Sequence, residues 1–399
     1  MACMRVFRSK FLTPDTIALV PHNGYNNDNQ SVKALQWLKW IEHRDGRPLR
    51  HARTTGGEKH FGPYKVDGWD ETSKIAYEFY GCLWHGCPIC YPRRDQHLPR
   101  SEKTVEDAYE ELSRRKAWMQ QEARRQGFRI VEMWECEYEQ TLKADQEMKD
   151  FVSELRLPEP LRPRDAFFGG RTNAIKLHHV AAEDEQIRYI DICSLYPYVN
   201  KYCKYPIGHP EIIVDPKTTD VSGYEGLIKC TVLPPKGLYH PVLPFRSNDK
   251  LLFPLCATCA TSLEKKKCRH TDAERALRGT WVSIELQKAV EKGYVVQNIE
   301  EVWHFEETRQ YNPDTGETGL FTEYINTFLK MKQEASGWPE DCDTEERRRQ
   351  YIADYERREG IKLDYANIAK NEGKRALAKL MLNSFWGKFG QRSNLTKTQ

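Results

Sequence analysis

The chain has 399 residues, enough for two or three domains, and apolar residues make up 39% of it, which predicts a buried core rather than wholesale disorder. No run approaches the roughly 18 to 20 apolar residues that span a bilayer, and the start MACMRVFRSKFL lacks the apolar segment of a signal peptide, so we expect a soluble, intracellular protein. The formal net charge of +3 is nearly neutral and neither favours nor excludes a nucleic-acid partner.

The first part of the chain predicts a compact α/β unit. Residues 1–59 contain the strand-like TIALV and the helix-like VKALQWLKWIEH, without recognisable chemistry. The segment 65–91 predicts strand, turn, strand and a Cys/His cluster. Residues 102–126 place apolar residues at helical spacing, and the following FRIVEMWECEY alternates like a strand. We therefore assign residues 60–150 to one α/β domain.

The remainder predicts a linker, a strand, a region of short strands and a helical end. Proline and charge dominate LRLPEPLRPRD, which indicates a linker in the segment 151–214. In the same segment, FFGGRTNA precedes an apolar strand that ends in YIDICSLYP. Residues 215–305 predict short strands and turns, and residues 306–399 predict helices, the last from about Asn371 to Lys388. The predicted fold class is α+β.

Most of the twelve cysteines fall into two clusters. A disulfide scaffold is typical of short secreted chains, which this is not. The first cluster contains Cys82, Cys87 and Cys90, with His85 between them. The second contains Cys256, Cys259, Cys268 and His270. Cys-x-x-Cys followed by Cys-x-His is metal-ligand spacing, and four such ligands close a tetrahedral Zn²⁺ site, which indicates a structural role. The alternative is a set of scattered buried cysteines.

Asp191 follows the predicted apolar strand and precedes a turn, in the sequence DICSLYP. A carboxylate in this position can hold Mg²⁺ beside a phosphate-binding backbone, and two such ions can clamp the attacking and leaving oxygens of a phosphoryl transfer. The alternative is an aspartate that caps the next helix.

The predicted last helix carries two cations and an amide on one face. Arg375, Lys379 and Asn383 drift only ~40° per step along an α-helix. Cations on one face suit an incoming triphosphate, because they neutralise charge on the leaving pyrophosphate. The alternative is an ordinary solvated face. The residues predicted to pack on the other sides are Leu377, Leu380 and Met381.

Together, DICSLYP and KLMLNSFWG resemble motif A (Dx₂SLYP) and motif B (Kx₃NSxYG) of family B DNA polymerases. The resemblance implies that Asp191 is a catalytic metal ligand and that Tyr196 lies under the sugar and excludes a 2′-hydroxyl. Trp386 stands where the family usually has tyrosine. The implied nucleotide-binding residues are Ile192, Ser194, Leu195, Tyr196, Arg375, Lys379 and Asn383.

FFGGRTNA resembles the YxGG motif that links the exonuclease and polymerase parts in the same family, with Phe168 in place of the tyrosine. Two glycines allow a close approach to a DNA strand, and Arg171 can bind phosphate. A plain glycine turn is the alternative. The implied DNA-binding residues are Gly169, Gly170, Arg171, Gly387 and Lys388.

The insertion between the two motifs is typical of protein-primed members, including bacteriophage, linear-plasmid and self-synthesising transposon enzymes. This implies dNTPs, template–primer DNA and a terminal priming protein as partners, and a nucleus location if the parent is a eukaryotic transposon. Residues 1–59 then correspond to the end of the exonuclease region, residues 151–214 to the start of the palm, 215–305 to the insertion and 306–399 to palm and fingers helices.

The resemblance covers about residues 160–399 and lacks two family motifs. No Tyr-x-Asp-Thr-Asp follows motif B, and the proofreading Asp-x-Glu is expected to precede the first residue of this sequence. We therefore expect a fragment with an incomplete palm, an exposed apolar sheet surface and negligible polymerisation on its own. A non-catalytic DNA-binding relic is one alternative, and a metal-dependent endonuclease is another.

The second alternative follows from KVDGWDETSKIAYEFYGCLWHGCPIC and GFRIVEMWEC, which resemble very-short-patch mismatch-repair endonucleases of the restriction-endonuclease fold. The resemblance implies that Asp67 and Glu78 face Mg²⁺ and that His85 is an acid/base. Tyr80 occupies the position of the expected lysine, so a zinc-stapled module that contacts DNA without cleaving it is equally open. The implied ligands of the structural zinc are Cys82, Cys87, Cys90 and Cys136.

Overall fold

The computed structural model describes residues 2–21, 25, 28, 30–99, 101–157, 159–171, 178–192, 194–264 and 266–390, with backbone only for residues 2, 386 and 388–390. Helices and strands are mixed along the chain, as the α+β prediction requires. Across these residues, no helix has both the length and the apolar character needed to cross a bilayer.

A four-stranded sheet organises the first unit, with strand order β1-β4-β5-β6. Strand β5 pairs antiparallel with β4 and parallel with β6, and the long helix α3 makes the crossover between β5 and β6. After the N-terminal helix α1 (Ala2–Lys10), the elements are α2 (Val32–Asp45), β1 (Arg50–His51), β2 (Lys59–Phe61), β3 (Tyr64–Val66), β4 (Gly68–Asp70), β5 (Ile75–Tyr80), α3 (Val105–Gln126), β6 (Arg129–Trp134), α4 (Glu135–Ala144) and α5 (Gln146–Glu154).

Local sequence explains the limits of α3. Thr104 and Asp107 form a reciprocal capping box at its start, and Gly127, with φ 72°, ends it in the left-handed conformation that glycine adopts without strain. Every residue of β5 is buried, because one face of the strand packs on α2 and the other on α3. A strand covered on both faces is typical of a parallel crossover.

The core of the α/β unit extends across the predicted boundary between residues 59 and 60. Trp37 and Leu38 of α2 pack with Tyr77 and Phe79 of β5. A helix that buries the large ring of Trp37 against the aromatic residues of β5 is part of the core and not a linker. The α/β unit therefore begins at α2.

A second four-stranded sheet, in the order β12-β9-β13-β8, is antiparallel throughout. Trp281 and Ile299 fill its core, and a 3₁₀ turn at Pro163–Ala166 lies against β12. The elements of this region are α6 (Leu195–Tyr202), β7 (Tyr205–Pro206), β8 (Glu211–Val214), β9 (Gly226–Leu233), β10 (Phe245–Ser247), β11 (Lys250–Leu252), α7 (Ala257–Ser262), α8 (Asp272–Arg275), β12 (Leu277–Val282), α9 (Ser283–Glu291), β13 (Val295–His304) and β14 (Thr308–Arg309).

A helical core closes the chain, built from α10 (Thr322–Glu334), α11 (Glu345–Glu359) and α12 (Glu372–Gly390). The ring of Tyr324 stacks on that of Phe385 with centroids 4.2 Å apart, and its hydroxyl donates to the Met381 carbonyl at 3.0 Å. Phe7 of α1 is fully buried in the same core. Because α1 packs here and α2 packs in the α/β unit, residues 1–59 contribute to two cores.

Four sequence expectations about elements fail. Residues 16–20 (TIALV) form no strand, and only Ile17 makes an isolated bridge, to Gly208. Residues 187–192 form no strand and are exposed, since no strand of the described chain hydrogen-bonds to them, so Ile187 and Ile190 have no neighbouring sheet to pack on. Strand β6 ends at Trp134 because α4 starts directly after it. On α12, Met381 is buried as expected, but Leu377 and Leu380 are exposed.

Candidate functional site

The motif A segment forms a sharp turn followed by a short helix. Asp191 and Ile192 are exposed and lie outside any helix or strand. Ser194 adopts φ 59°, a left-handed conformation that is strained for a residue other than glycine, and α6 starts directly after it. Pro197 in the first turn is tolerated because an N–H there has no partner within the helix. Asp191 is therefore a surface residue close in sequence to the start of α6.

The structure brings the motif A helix and the motif B helix into contact. Helix α6 packs against both α10 and α12. The Thr322 hydroxyl at the start of α10 donates to the carbonyl of Lys201 in α6 at 3.2 Å, and this bond is buried. Segments about 180 residues apart in sequence therefore meet in one place.

The predicted cationic face of α12 is exposed. Arg375, Lys379 and Asn383 are all solvent-accessible, while Ala378 and Phe385 face the helical core. The Arg375 guanidinium donates from Nε to the Ser336 hydroxyl at 3.1 Å, which holds it near the start of the helix.

Gly387 is exposed, and the side chains of Trp386 and Lys388 lie outside the described residues.

The glycine motif lies beside motif A. A Cβ atom on Gly170 would be 3.4 Å from the Tyr196 hydroxyl, so the glycine leaves room for the ring that we predict to exclude a 2′-hydroxyl. Gly169 is open to solvent. Arg171 differs from the expectation, because its guanidinium lies 4.3 Å from the Phe253 ring and donates to the Pro241 carbonyl. These contacts with residues of the insertion fix the position of the Arg171 side chain.

Four cysteines of the α/β unit converge on one point. The Sγ atoms of Cys82, Cys87, Cys90 and Cys136 all lie within 4.8 Å of one another, with the Cys87 and Cys136 sulfurs 3.9 Å apart. Tetrahedral Zn–S bonds of about 2.3 Å place sulfurs roughly 3.8 Å apart, so the spacing fits Zn²⁺. The Cys136 N–H points at the Cys82 sulfur at 3.3 Å, an interaction that favours a thiolate.

The second cluster has matching geometry. Nδ1 of His270 lies 3.5, 3.3 and 3.5 Å from the sulfurs of Cys256, Cys259 and Cys268. A tetrahedral zinc with one nitrogen and three sulfur ligands requires S···N distances of roughly 3.5 Å. The Cys259 N–H points at the Cys256 sulfur, which is also the N-cap of α7. Both groups can hold a metal ion.

Buried carboxyl groups meet in the α/β unit at the junction of β3, β4 and β5. The Phe79 N–H donates to Asp67 Oδ2 at 2.7 Å, which places Asp67 next to Glu78. Burial raises the pKa of Asp67 and raises the pKa of Glu78 to about 7, although the neighbouring Arg115 guanidinium opposes the second shift. Burial, and secondly the charge of Asp67, raise the pKa of Glu58 to about 8. The carboxyls therefore share one low-dielectric environment.

Two cations of α3 reach this junction. Arg115 Nη2 donates to both carboxylate oxygens of Glu78, at 2.8 and 2.7 Å. Lys116 lies with its ammonium 4.4 Å from the centre of the Tyr80 ring and pairs with Glu132 at 2.8 Å. The Tyr80 hydroxyl donates to the same carboxylate at 3.1 Å. The positive charge near these carboxylates therefore comes from α3, because position 80 of strand β5 is tyrosine rather than lysine.

His85 is half-buried beside the first cysteine group. Its Nδ1 is 3.1 Å from the Gly81 carbonyl and therefore carries the proton, which leaves Nε2 as an acceptor. Burial lowers the pKa of His85, so the ring is neutral at pH 7. A neutral imidazole with a free acceptor nitrogen has the state that a general base needs.

Glu58, Arg115 and Lys116 are absent from the sequence-based site. Nothing in the sequence separates Arg115 and Lys116 from the charges around them, because α3 has charged residues along most of its length. Glu58 lies in the segment just before β2 and belongs to no motif. Lys201, a fully buried lysine of α6, was also missed. Its position in YPYVNKYCKYP, among aromatic residues, is the only available signal.

Comparison with known families gives one match. A family model described as DNA polymerase type B, organellar and viral, matches residues 137–342, just over half of the chain. The matched residues include the DICSLYP segment and the second metal-ligand cluster. No curated protein matches the chain.

Similar solved structures include Phi29 DNA polymerase in three states. The complex with primer-template DNA and incoming nucleotide is 17% identical and covers 50% of this chain and 25% of that one, with a TM-score of 0.28. The post-translocation binary complex has 17% identity, 51% and 25% coverage and a TM-score of 0.28. The complex with single-stranded DNA has 16% identity, 50% and 25% coverage and the same TM-score of 0.28. The matched part of this chain thus spans about a quarter of that polymerase's length.

Proposed function

This chain belongs to the organellar and viral type B DNA polymerase family, and from that premise we propose that it binds a deoxynucleoside triphosphate and template–primer DNA for metal-assisted nucleotidyl transfer. The observation that carries the proposal is the contact between α6 and α12. It brings together two segments whose residue types suit a metal-bound triphosphate.

In this proposal the residues have separate roles. Asp191 is an exposed carboxylate with a suitable hard oxygen ligand for Mg²⁺. The metal, when bound, neutralises charge on the triphosphate and activates the primer hydroxyl. Lys379 and Arg375 bind the phosphates from the exposed face of α12, and Asn383 lies next to the base pair. Tyr196 orients the sugar, with its hydroxyl beside Gly170.

Protein priming is the finer proposal. Three of the four strands of the second sheet (β9, β12 and β13) and most of its core lie in region 215–305, and residues before this region supply the edge strand β8. The region is therefore a folded insertion that can present a surface to a second protein. We propose that a terminal protein docks on this insertion and that its hydroxyl serves as the primer.

Magnesium-dependent nucleotide binding tests the polymerase proposal. In a fluorescence titration with labelled dNTP, the purified chain should bind more tightly when Mg²⁺ is present. Asp191→Asn should remove most of that gain, because the amide lacks the charge that holds the metal. Asp184→Asn changes an exposed aspartate of the preceding turn and should behave like the parent. Equal Mg²⁺ dependence in the parent and in Asp191→Asn would argue against the role of Asp191.

We further propose that both cysteine clusters hold structural Zn²⁺. Each offers four donors at tetrahedral spacing with no position left for substrate, which is the arrangement of structural rather than catalytic zinc. In the α/β unit the ion would join α4 to the loop that follows β5. In the insertion it would join α7 to the segment before α8.

A second candidate function is metal-dependent DNA cleavage by the α/β unit. The observation that favours it is the convergence of Asp67 and Glu78 on a sheet whose β5 and β6 are parallel. The neutral ring of His85 lies 5.4 Å from the ring of Tyr80, at the end of the same β5. Two carboxylates suit a divalent metal that activates water, and the α3 cations can stabilise the charge on the scissile phosphate. The arrangement supports a nuclease even though Tyr80 replaces the expected lysine.

A plasmid-nicking assay tests this second function, and the whole chain is needed because α2 is part of the core of the unit. With Mg²⁺, the parent should convert supercoiled DNA to open circles. Glu78→Gln should abolish the conversion, whereas Glu71→Gln, an exposed acid in the same unit, should retain it. Unchanged plasmid with the parent protein would leave the unit without nuclease activity.

A further inference from the structure

Lys201 is a lysine in an unusual environment. Its side chain is 1% exposed, although lysine is almost never fully buried unless its charge is paired. The residue lies near the end of α6, the helix that starts with the motif A residues Leu195 and Tyr196.

The ammonium of Lys201 is held by the end of another helix. It donates to the backbone carbonyl of Glu359, the last residue of α11, where the helix dipole favours a cation. The rings of Tyr202 and Tyr311 lie 4.9 and 5.3 Å from the nitrogen and add cation–π attraction. Burial lowers the pKa of Lys201, so the protein keeps the amine at a cost in stability.

The neighbouring contacts also fix the two helix ends. Gly360 ends α11 with φ +66°, and a Cβ atom there would lie 2.9 Å from the Tyr311 hydroxyl, so the end of α11 packs tightly on Tyr311. The Gln310 side-chain amide donates to the Tyr202 carbonyl at 3.1 Å. Asn200, next to Lys201, is 2% exposed and its Nδ2 has no hydrogen-bond partner. Two buried polar residues in a short helix cost free energy but make its position specific.

The bond between Lys201 and the Glu359 carbonyl links the helix that starts with the motif A residues to the end of α11. The chain leaves α11 at Gly360 and then forms α12, which carries Arg375 and Lys379. Helix α6 carries Tyr196 at its other end. A bond from Lys201 to the end of α11 therefore joins the motif A helix to the segment that leads into the motif B helix.

We propose that Lys201 is a positioning residue that fixes the motif A helix relative to the segment entering α12, and thereby sets how Tyr196 discriminates between deoxyribose and ribose. This inference rests on the proposed nucleotide-binding function. The alternative is that Lys201 serves the stability of the helical core alone.

The variant Lys201→Met separates these two roles. Methionine nearly matches the volume and removes the buried ammonium, so the melting temperature should be unchanged or higher. Affinity for a fluorescent dNTP with Mg²⁺ should nevertheless fall about tenfold, and the ratio of dNTP to rNTP affinity should shrink. Lys229→Met is the matched control, because Lys229 also donates to a backbone carbonyl, that of Glu159 at 2.7 Å, but lies in the sheet of the insertion. Its dNTP/rNTP ratio should equal that of the parent.

Gly360→Ala provides a second route to the same answer. It moves the acceptor end of α11 through strain at positive φ and leaves the lysine unchanged, so it should also reduce the dNTP/rNTP ratio. If Lys201→Met folds and its ratio of dNTP to rNTP affinity equals that of the parent, the inference is overturned. If Lys201→Met does not fold, a parent-like ratio in Gly360→Ala overturns it instead. A parent chain that binds no nucleotide would overturn the proposed function itself.

Discussion

The buried ring of His51 makes the free energy of unfolding depend on pH. It is fully buried, its Nδ1 accepts from the Arg53 N–H at 3.0 Å, and its Nε2 has no hydrogen-bond partner. Burial lowers the pKa of His51 from 6.5 to about 3. In the unfolded chain the ring takes up a proton below pH 6.5, whereas the folded ring does not, so the free energy of unfolding must fall as the pH drops from about 6.5 towards 3.

The variant His51→Asn tests this dependence. Asparagine keeps an oxygen near the position of Nδ1 to accept from Arg53 and does not titrate. The acid-side loss of stability between pH 6.5 and 4, measured by chemical denaturation, should become shallower than in the parent. His60→Asn, at an exposed position in the same unit, is the control. If parent and His51→Asn lose stability with the same slope, the neutral buried state of His51 is wrong.

The contact between Arg115 and Glu78 is an example of a side-chain pairing that the sequence does not predict. The two residues are 37 apart, and they meet only because α3 crosses back over the sheet. Asp67 is implied by the resemblance to very-short-patch repair endonucleases, as a residue at the end of a strand. Its partners depend on how a helix packs on a strand, which no local pattern records.

At the scale of elements, the two cysteine clusters act as cross-links between segments. Cys136 belongs to α4, while its three partners lie in the loop after β5. The cluster in the insertion is local, since its four ligands lie between residues 256 and 270. Loss of the first should therefore affect tertiary structure more than loss of the second.

Metal content provides the test of both clusters. The parent chain should contain two zinc ions per molecule, one for each cluster, when measured by atomic emission after dialysis. Cys136→Ser and Cys268→Ser should each reduce the content to one, and Cys136→Ser should lower the melting temperature more. Cys203 belongs to neither cluster, so Cys203→Ser should retain both ions. One zinc or none in the parent would contradict the assignment.

The predictable elements are those whose determinants are local. Helix α12 follows from its periodicity, and α3 from its cap residues and closing glycine. The expected strand at 187–192 fails for the opposite reason, because a strand requires a partner and none of the described strands supplies one. Likewise, the sequence shows the face of α12 that carries Lys379 but cannot show that Leu377 and Leu380 remain uncovered.

At the scale of the whole molecule, the N-terminal segment is divided between two cores. Helix α1 packs into the helical core beside α12, while α2 packs into the α/β unit. Contacts between the first and last helices involve separations of more than 370 residues, such as the Cys3 thiol that lies 3.8 Å from the Ser384 carbonyl. The sequence pattern predicts α2 and not α1, and no local pattern assigns either helix to a core.

The candidate nucleotide site is also a property of the whole molecule, because motif A and motif B meet only in the folded chain. In the proposed function, the exposed face of α12 binds the triphosphate at this site. The lysine at position 379 is the residue on that face whose removal deletes a charge without disturbing the buried side of the helix.

The most direct test compares two lysines of the same helix. Labelled dNTP is titrated with Mg²⁺ into the parent, Lys379→Ala and Lys374→Ala, the last an exposed lysine in the first turn of α12. Loss of one charge-assisted contact of about 1.5–3 kcal/mol should weaken binding about tenfold or more in Lys379→Ala, while Lys374→Ala should bind like the parent. Equal affinity of the parent and Lys379→Ala for dNTP would contradict the account.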